Sequence, residues 1–277
     1  MDISRAGLRI ERIANCDVFT GMGIKTPWGR LYGGQTIAQS LLAACHTVPD
    51  NYPVHSLHSY FILAGSCEKS ILFDVERVRD GGSFMTRAVK AKQDNHTICL
   101  TQASFHKPEF GMEFEVSLQD RLRQLGVEEP LPPPEHFADR TTEDVSLNVR
   151  RHTIVEGKDW KLSYVRLAAR GLIKRGDWKT NCSMLTFMSD AGMVGTARRA
   201  HGDDVSWSMC VSLDHTVHFH RPAEICVEEW SVVLHQTSIS SGGRGFANAQ
   251  AFGLDGQLLA TFNQEALIRP MAEPAKL

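Results

Sequence analysis

Three polar positions in the last third of the chain combine residue types that could hold and activate a water molecule. Asp214 sits in Val211-Ser212-Leu213-Asp214-His215, at the start of a predicted strand. A carboxylate in that apolar setting is either an exposed edge residue or a buried charge kept for a purpose. Thr237 and Ser238 close a predicted strand that begins near Trp230, and Gln264 interrupts the last predicted strand within Ala260-Thr261-Phe262-Asn263-Gln264-Glu265-Ala266. Each has an ordinary structural explanation when taken singly. Together they offer an acceptor, a hydroxyl and an amide, enough to fix one water in orientation. A second cluster is His215, His218 and His220. Alternate strand residues share a face, so two of these rings could reach one ion. No H-E-x-x-H and no acidic third ligand accompany them, and partly buried strand histidines are the simpler reading. Neither a metal nor another cofactor is called for.

These residues lie in the second of two similar segments. Ser56-Leu57-His58, Gly81-Gly82-Ser83-Phe84 and Leu100-Thr101-Gln102-Ala103 recur as Ser212-Leu213-Asp214, Gly242-Gly243-Arg244-Gly245-Phe246 and Phe262-Asn263-Gln264-Glu265. Phe84 to Phe246 and Gln102 to Gln264 share one spacing, 162, which equates the two glutamines, while Leu57 to Leu213 is spaced by 156 and sets His58 where the second copy has Asp214. Each copy opens with a helical pattern: Ile37, Ala38, Leu41, Leu42 and Cys45 after Gly33-Gly34, then Met184, Leu185, Met188 and Ala191. Extended segments follow. Phe73 and Val75 alternate with Asp74 and Glu76, and turn signals stand at Asp94-Asn95 and Asp255-Gly256. Helix then antiparallel strands, twice, predicts an α+β chain rather than a wound parallel sheet. Pro130-Leu131-Pro132-Pro133-Pro134 can neither continue a helix nor donate to a ladder, and reads as linker. The expected division is an N-terminal unit over 1–110, a linker over 111–160, a C-terminal unit over 161–270 and a tail over 271–277.

Composition narrows the function classes. The 277 residues are 42% hydrophobic and 22% charged, so a packed globular chain is expected and a disordered one excluded. A formal charge of -2 gives no basic excess for nucleic-acid binding. Seven cysteines, odd in number and without Cys-x-x-Cys, suggest free thiols in a reducing compartment. There is no apolar leader and no transmembrane run. The G-x-S-x-G elbow, the P-loop and G-x-G-x-x-G are all missing. The chain ends Ala275-Lys276-Leu277, a variant of the Ser-Lys-Leu peroxisomal address, which would be read by an import receptor. Pro270 and Pro274 favour a non-helical tail before it.

Several stretches resemble the type II acyl-CoA thioesterases, including the peroxisomal ones. In the first half these are Tyr32-Gly33-Gly34-Gln35, Ser56-Leu57-His58-Ser59-Tyr60-Phe61 and Val78-Arg79-Asp80-Gly81-Gly82-Ser83-Phe84. In the second they are Leu213-Asp214-His215, Phe219-His220-Arg221-Pro222, Gly243-Arg244-Gly245-Phe246 and Gln264-Glu265-Ala266-Leu267-Ile268-Arg269. The resemblance covers nearly the whole chain and is weakest through the linker. It implies a double hotdog fold, two units each with a helix wrapped by an antiparallel sheet, and hydrolysis of fatty acyl-CoA to fatty acid and CoA in lipid metabolism. It also implies a catalytic Asp, Thr or Ser, and Gln, which fall on Asp214, Thr237 (with Ser238 beside it as the other hydroxyl) and Gln264. Thr216-Val217-His218 departs from the family's frequent Ser, bulky apolar residue and Trp, which bears on pocket shape more than on chemistry.

A thioester is already activated, so water attack needs positioning and charge stabilisation more than a potent nucleophile. In this reading Asp214 takes the water's proton while Thr237 and Gln264 hold the water. The oxyanion rests on backbone N–H groups at Gly34 and Gln35, where a helix N-terminus begins. With His58 in place of the acid in the first unit, one working site per chain is expected. A non-catalytic acyl-CoA-binding protein on the same fold is the alternative. An enoyl-CoA hydratase would want an Asp near the first helix, and residues 35–46 hold none. Exposed sheet edges favour pairing of copies, so a homo-oligomer is expected.

Overall fold

The computed structural model describes residues 7–27, 29–144, 149–168, 170–202 and 204–271, without the side chains of 138–144. The tripeptide Ala275-Lys276-Leu277 therefore lies outside the described residues. In the first unit, strands β1 (Ile10–Arg12) and β2 (Val18–Met22) precede helix α1 (Gly33–Cys45) and strands β3 (Val54–Phe61), β4 (Ser70–Asp80), β5 (Phe84–Gln93) and β6 (His96–His106). A connection carries helix α2 (Leu118–Leu125), a 3-10 turn (Pro134–Arg140) and strand β7 (Thr141–Asp144). The second unit holds β8 (Val149–Glu156), β9 (Trp160–Leu167), helices α3 (Trp178–Ser189) and α4 (Met193–Arg199), β10 (Trp207–Ser212), β11 (Asp214–Phe219), β12 (Ser231–Ser241), β13 (Arg244–Phe252) and β14 (Leu258–Pro270).

All strands join one antiparallel sheet in the order β1-β2-β4-β5-β6-β3-β11-β14-β13-β12-β9-β8-β7, with β10 also on β14. The order reads alike from both sides of the β3–β11 seam: β2, β4, β5, β6, β3 on one side answer β9, β12, β13, β14, β11 on the other. This is the double hotdog predicted. Each unit wraps its own helix, so α1 is buried on every side beyond its first residue. That is why its apolar positions cover a broad face rather than a narrow stripe. The polar side chains so enclosed find local acceptors: Ser40 Oγ donates to the Thr36 carbonyl at 2.8 Å.

Helices α1 and α3 pack against each other with opposite ends adjacent. The Tyr32 hydroxyl, before α1, donates to the Phe187 carbonyl near the end of α3 at 2.8 Å. Lys179, at the start of α3, donates to the Val48 carbonyl just past α1 at 3.1 Å. No described helix is long and apolar enough to cross a membrane.

Three expectations need correction. The linker drawn over 111–160 is too long, because Val149–Glu156 is a full sheet member paired with β9. Nor is the remainder a bare spacer: Leu118 and Leu122 of α2 pack with Leu162, Tyr164, Val232, Leu234 and Phe252 on the outer face of the second half-sheet. The proline run is held there by Tyr164, whose hydroxyl donates to the Pro132 carbonyl at 2.8 Å. Finally, Gln102 is not the counterpart of Gln264, since it is exposed and Gln264 buried, on opposite faces of their strands. The ladders give the true correspondence. A bulge lies between Arg77 and Arg79 in β4 and between Thr237 and Ile239 in β12, and each strand then enters a two-residue turn. Counting from those landmarks, the row Thr237–Ala247–Gln264 answers the row Arg77–Arg87–Ala103.

Candidate active site

Thr237 and Gln264 stand in one cross-strand row, on either side of Ala247. The small Ala247 leaves the space between two longer polar side chains open, and the pleat turns all three inward. Gln264 is 1% exposed and Thr237 6%. Ser238, the neighbouring hydroxyl, is exposed, as strand alternation requires of a residue next to an inward one. Of the two hydroxyls, Thr237 alone faces the buried row.

Asp214 lies beside this row, in a distortion of its strand. Ser212 opposes Ala266 and Thr216 opposes Asn263, so residues 213–215 face only Gln264 and Glu265. The extra residue makes a bulge, a common device for re-aiming a side chain next to a site. The Glu265 N–H, which would otherwise meet a ladder carbonyl, donates to Asp214 Oδ1 at 2.6 Å.

The bulge also turns both Ser212 and His215 toward Gln264. Gln264 Nε2 donates to Ser212 Oγ at 2.7 Å, and its Oε1 accepts from His215 Nδ1 at 2.6 Å. An amide oxygen can only accept, so the imidazole proton sits on Nδ1. His215 Nε2 then lies 2.7 Å from the Ser189 hydroxyl at the end of α3, whose single proton it shares with the Thr186 carbonyl at 2.9 Å. Burial pushes the His215 pKa below its ordinary value, opposed by the charges of Asp190 and Asp214 and by the Gln264 bond. Burial thus disfavours the charged ring, and His215–Gln264–Ser212 is a directed hydrogen-bond chain with one orientation for the Gln264 amide.

The start of α1 differs from expectation. Gly34 does approach other atoms closely: a Cβ there would lie 2.6 Å from the Phe187 carbonyl oxygen and from the Tyr32 ring. Its N–H, however, donates to Asp190 Oδ2 at 2.7 Å and is not left open to an oxyanion. The Gln35 side chain is turned away into backbone, accepting from the Ile24 N–H and donating to the Gly7 and Met22 carbonyls. Its part is to tie the N-terminal segment to α1.

A cleft of about 1090 Å³ opens over this region. Leu31, Tyr32, Phe61, Leu63, Val194 and Met209 give it apolar walls, and Asp190 and Ser212, beside Gly33 and Leu213, give it polar groups. Gln264 lies one hydrogen bond behind Ser212. Of the histidines, His218 meets His58 edge-on at 5.5 Å and His220 Nε2 lies 3.1 Å from Thr261 Oγ1. Neither belongs to the site.

The sequence reading thus named Asp214, Thr237 and Gln264, took His215 only as one of a histidine cluster, and passed over Ser189, Asp190 and Ser212. His215 and Ser212 flank Asp214 in the motif itself, and only the bulge makes both of them inward. Ser189-Asp190 carried no signal, because its contacts depend on where the end of α3 meets β11 and α1.

Comparison with known proteins gives a consistent result. Residues 24–106 match the family model described as the acyl-CoA thioesterase N-terminal domain, and residues 121–268 match the acyl-CoA thioesterase C-terminal domain. The chain is 32% identical over 286 residues to human acyl-coenzyme A thioesterase 8, covering 94% of this chain and 88% of that protein. It is 31% identical over 276 residues to acyl-CoA thioesterase 2 of Haemophilus influenzae, covering 95% of each. Among solved structures it resembles acyl-CoA thioesterase II TesB2 of Mycobacterium marinum, with a TM-score of 0.77, 26% identity and 99% of both chains covered.

Proposed function

Since this chain belongs to the acyl-CoA thioesterase family, we propose that it hydrolyses the thioester of fatty acyl-CoA to a free fatty acid and CoA, with Asp214, Thr237 and Gln264 holding the attacking water. The observation that carries this is the unused capacity of the three groups. Gln264, fixed by His215 and Ser212, keeps one N–H and one lone pair. The Thr237 hydroxyl donates to the Phe246 carbonyl at 2.8 Å and so turns its oxygen lone pairs outward as acceptors. Asp214 uses Oδ1 on Glu265 and retains Oδ2.

In this reading water is held by Thr237 and Gln264 while Asp214 takes its proton. The water oxygen bonds to the thioester carbon, the C–S bond breaks, and the proton passes to the departing thiolate. General-base positioning of this kind contributes about 10²–10⁴-fold. Gly34 does not enter the scheme, because Asp190 holds its N–H. A role in lipid metabolism follows from the fatty acyl substrate. Peroxisomal import through Ala275-Lys276-Leu277 is part of the proposal, tested by locating a tagged chain with and without Leu277. So is self-association, tested by light scattering.

The test is thiol release from acyl-CoAs of graded chain length by wild type, Asp214→Asn, Thr237→Ala and Gln264→Ala. Losses of about 10²-fold or more with unchanged circular dichroism support the roles. Near-normal turnover by Asp214→Asn overturns its assignment. Binding of acyl-CoA without thiol release by the wild type would make this a binding protein.

A further inference from the structure

A second cleft, of about 740 Å³, adjoins the apolar one along α4. Five cationic side chains line it: Arg151, Lys158, Lys161, Arg198 and Arg199. Among its described lining residues there is no carboxylate. Glu156, close behind, meets Arg199 at 3.0 Å and Lys161 at 3.9 Å, so one acid is shared between two of the bases. In a chain whose formal charge is -2, this is a pronounced local excess of positive charge. A concave surface of one sign focuses its field on an incoming ion of the other.

A second observation points to a ligand. His235 lines the same cleft at 5% exposure, and its buried Nδ1 has no hydrogen-bond partner. Buried polar atoms are rarely left so. Its pKa is pushed down to about 3, first by burial and then by Arg151, Lys161 and Arg199. Lys161 is pushed down as well, by burial and by Arg151. Burial dominates both shifts, and the neighbouring bases add to each.

The two clefts share Arg151, Gly192, Gly195 and Arg198. The two glycines put no side chain into the passage between them. A molecule with an anionic end and an apolar tail would therefore fit along the two adjoining clefts. Resting on the thioesterase reading above, we propose that the basic cleft binds the phosphates of the CoA portion of the substrate, while the adjoining apolar cleft receives the acyl chain. CoA carries a pyrophosphate and a ribose phosphate, and cationic side chains with a spare imidazole are suited to such oxygens.

The experiment compares one acyl group carried on CoA and on pantetheine, which has the thiol arm without the nucleotide phosphates. The double variant Lys158→Glu/Arg199→Glu changes two surface-accessible bases and is checked for folding by circular dichroism. Its KM for acyl-CoA should rise at least tenfold with kcat little changed, its KM for acyl-pantetheine should stay put, and Lys158→Arg/Arg199→Lys should behave as wild type. Equal effects on both substrates, or none on either, overturn the assignment. If wild type releases thiol from neither substrate, the thioesterase reading fails by itself. Calorimetric titration with CoA then decides the cleft: binding weakened tenfold by the double variant upholds it, and unchanged or absent binding overturns it.

Discussion

Gly34 donates its N–H to Asp190 across 2.7 Å, and this one bond joins the first turn of one unit's helix to the end of the other's. The residue before α1, Tyr32, offers no side-chain cap, and the first turn of α1 contains no acid. Asp190 supplies both from the other half of the chain, placing a carboxylate at the positive end of a buried helix. Asp190→Ala should therefore lower stability by about 1–3 kcal/mol, as a buried N–H loses its acceptor. Gly34→Ala should destabilise too, because its Cβ has no room beside Phe187 and Tyr32. Denaturant unfolding measures both, and an unmoved midpoint for Asp190→Ala would refute the bond's importance.

Ser212 has its effect through Gln264. Ser212→Ala leaves one buried amide N–H without its acceptor and loosens the amide's orientation. We expect kcat to fall about tenfold or more with KM nearly unchanged, because a misplaced orienting group costs rate rather than binding. A KM effect alone would make Ser212 a wall of the cleft and nothing more.

In the first unit the row answering Thr237–Ala247–Gln264 is occupied by Arg87, which is fully buried. Its guanidinium donates to Thr47 Oγ1, to the Thr47, Arg79 and Thr86 carbonyls, and to Asp80. The volume that holds the candidate site in one unit is filled by structure in the other. Arg87→Ala should cost about 2–5 kcal/mol through the cavity and the carbonyls left bare. Thiol release per folded molecule should be unchanged. A loss of turnover without loss of stability would contradict a single site per chain.

Stability should fall in acid before the carboxylates titrate. His235 has a folded pKa of about 3 against an ordinary 6.5, so the unfolded chain binds the extra proton throughout that interval. Its contribution is whole above pH 6.5 and shrinks as pH drops toward 3, by about 1.4 kcal/mol per unit. That is about 2 kcal/mol at pH 5. His215, depressed in the same direction, adds to the slope. Unfolding measured from pH 7.5 to 5 should show a shallower slope for His235→Gln, and an identical slope would count against this account.

Much of this was readable in advance, for local reasons. Asp94 and Asn95 both adopt left-handed backbone, with φ of 48° and 63°, as the turn between β5 and β6 requires of a two-residue hairpin. The helix start at Gly33-Gly34 and the strand alternation of Phe73 and Val75 are likewise consequences of residue type. Gln102 was misread because spacing along a chain says nothing of facing: a pleat has a period of two, and a hairpin loop of different length shifts its partner strand unseen. The strand at 149–156 lies inside the span read as linker, yet the proline run ends at Pro134 and no proline separates that strand from β9.

What the sequence determined by itself is the repeated unit, its helix and strands, and, through its motifs, the candidates Asp214, Gln264 and a hydroxyl at Thr237 or Ser238, which the burial of Thr237 alone then separates. What only the tertiary structure decided is the company those residues keep. A bulge at Leu213–His215 brings His215 and Ser212 onto Gln264, the end of α3 places Ser189 on His215, and the antiparallel packing of α1 against α3 delivers Asp190 to Gly34. Those contacts join segments far apart in the chain, and they exist only because two half-sheets close around two helices that share one interior.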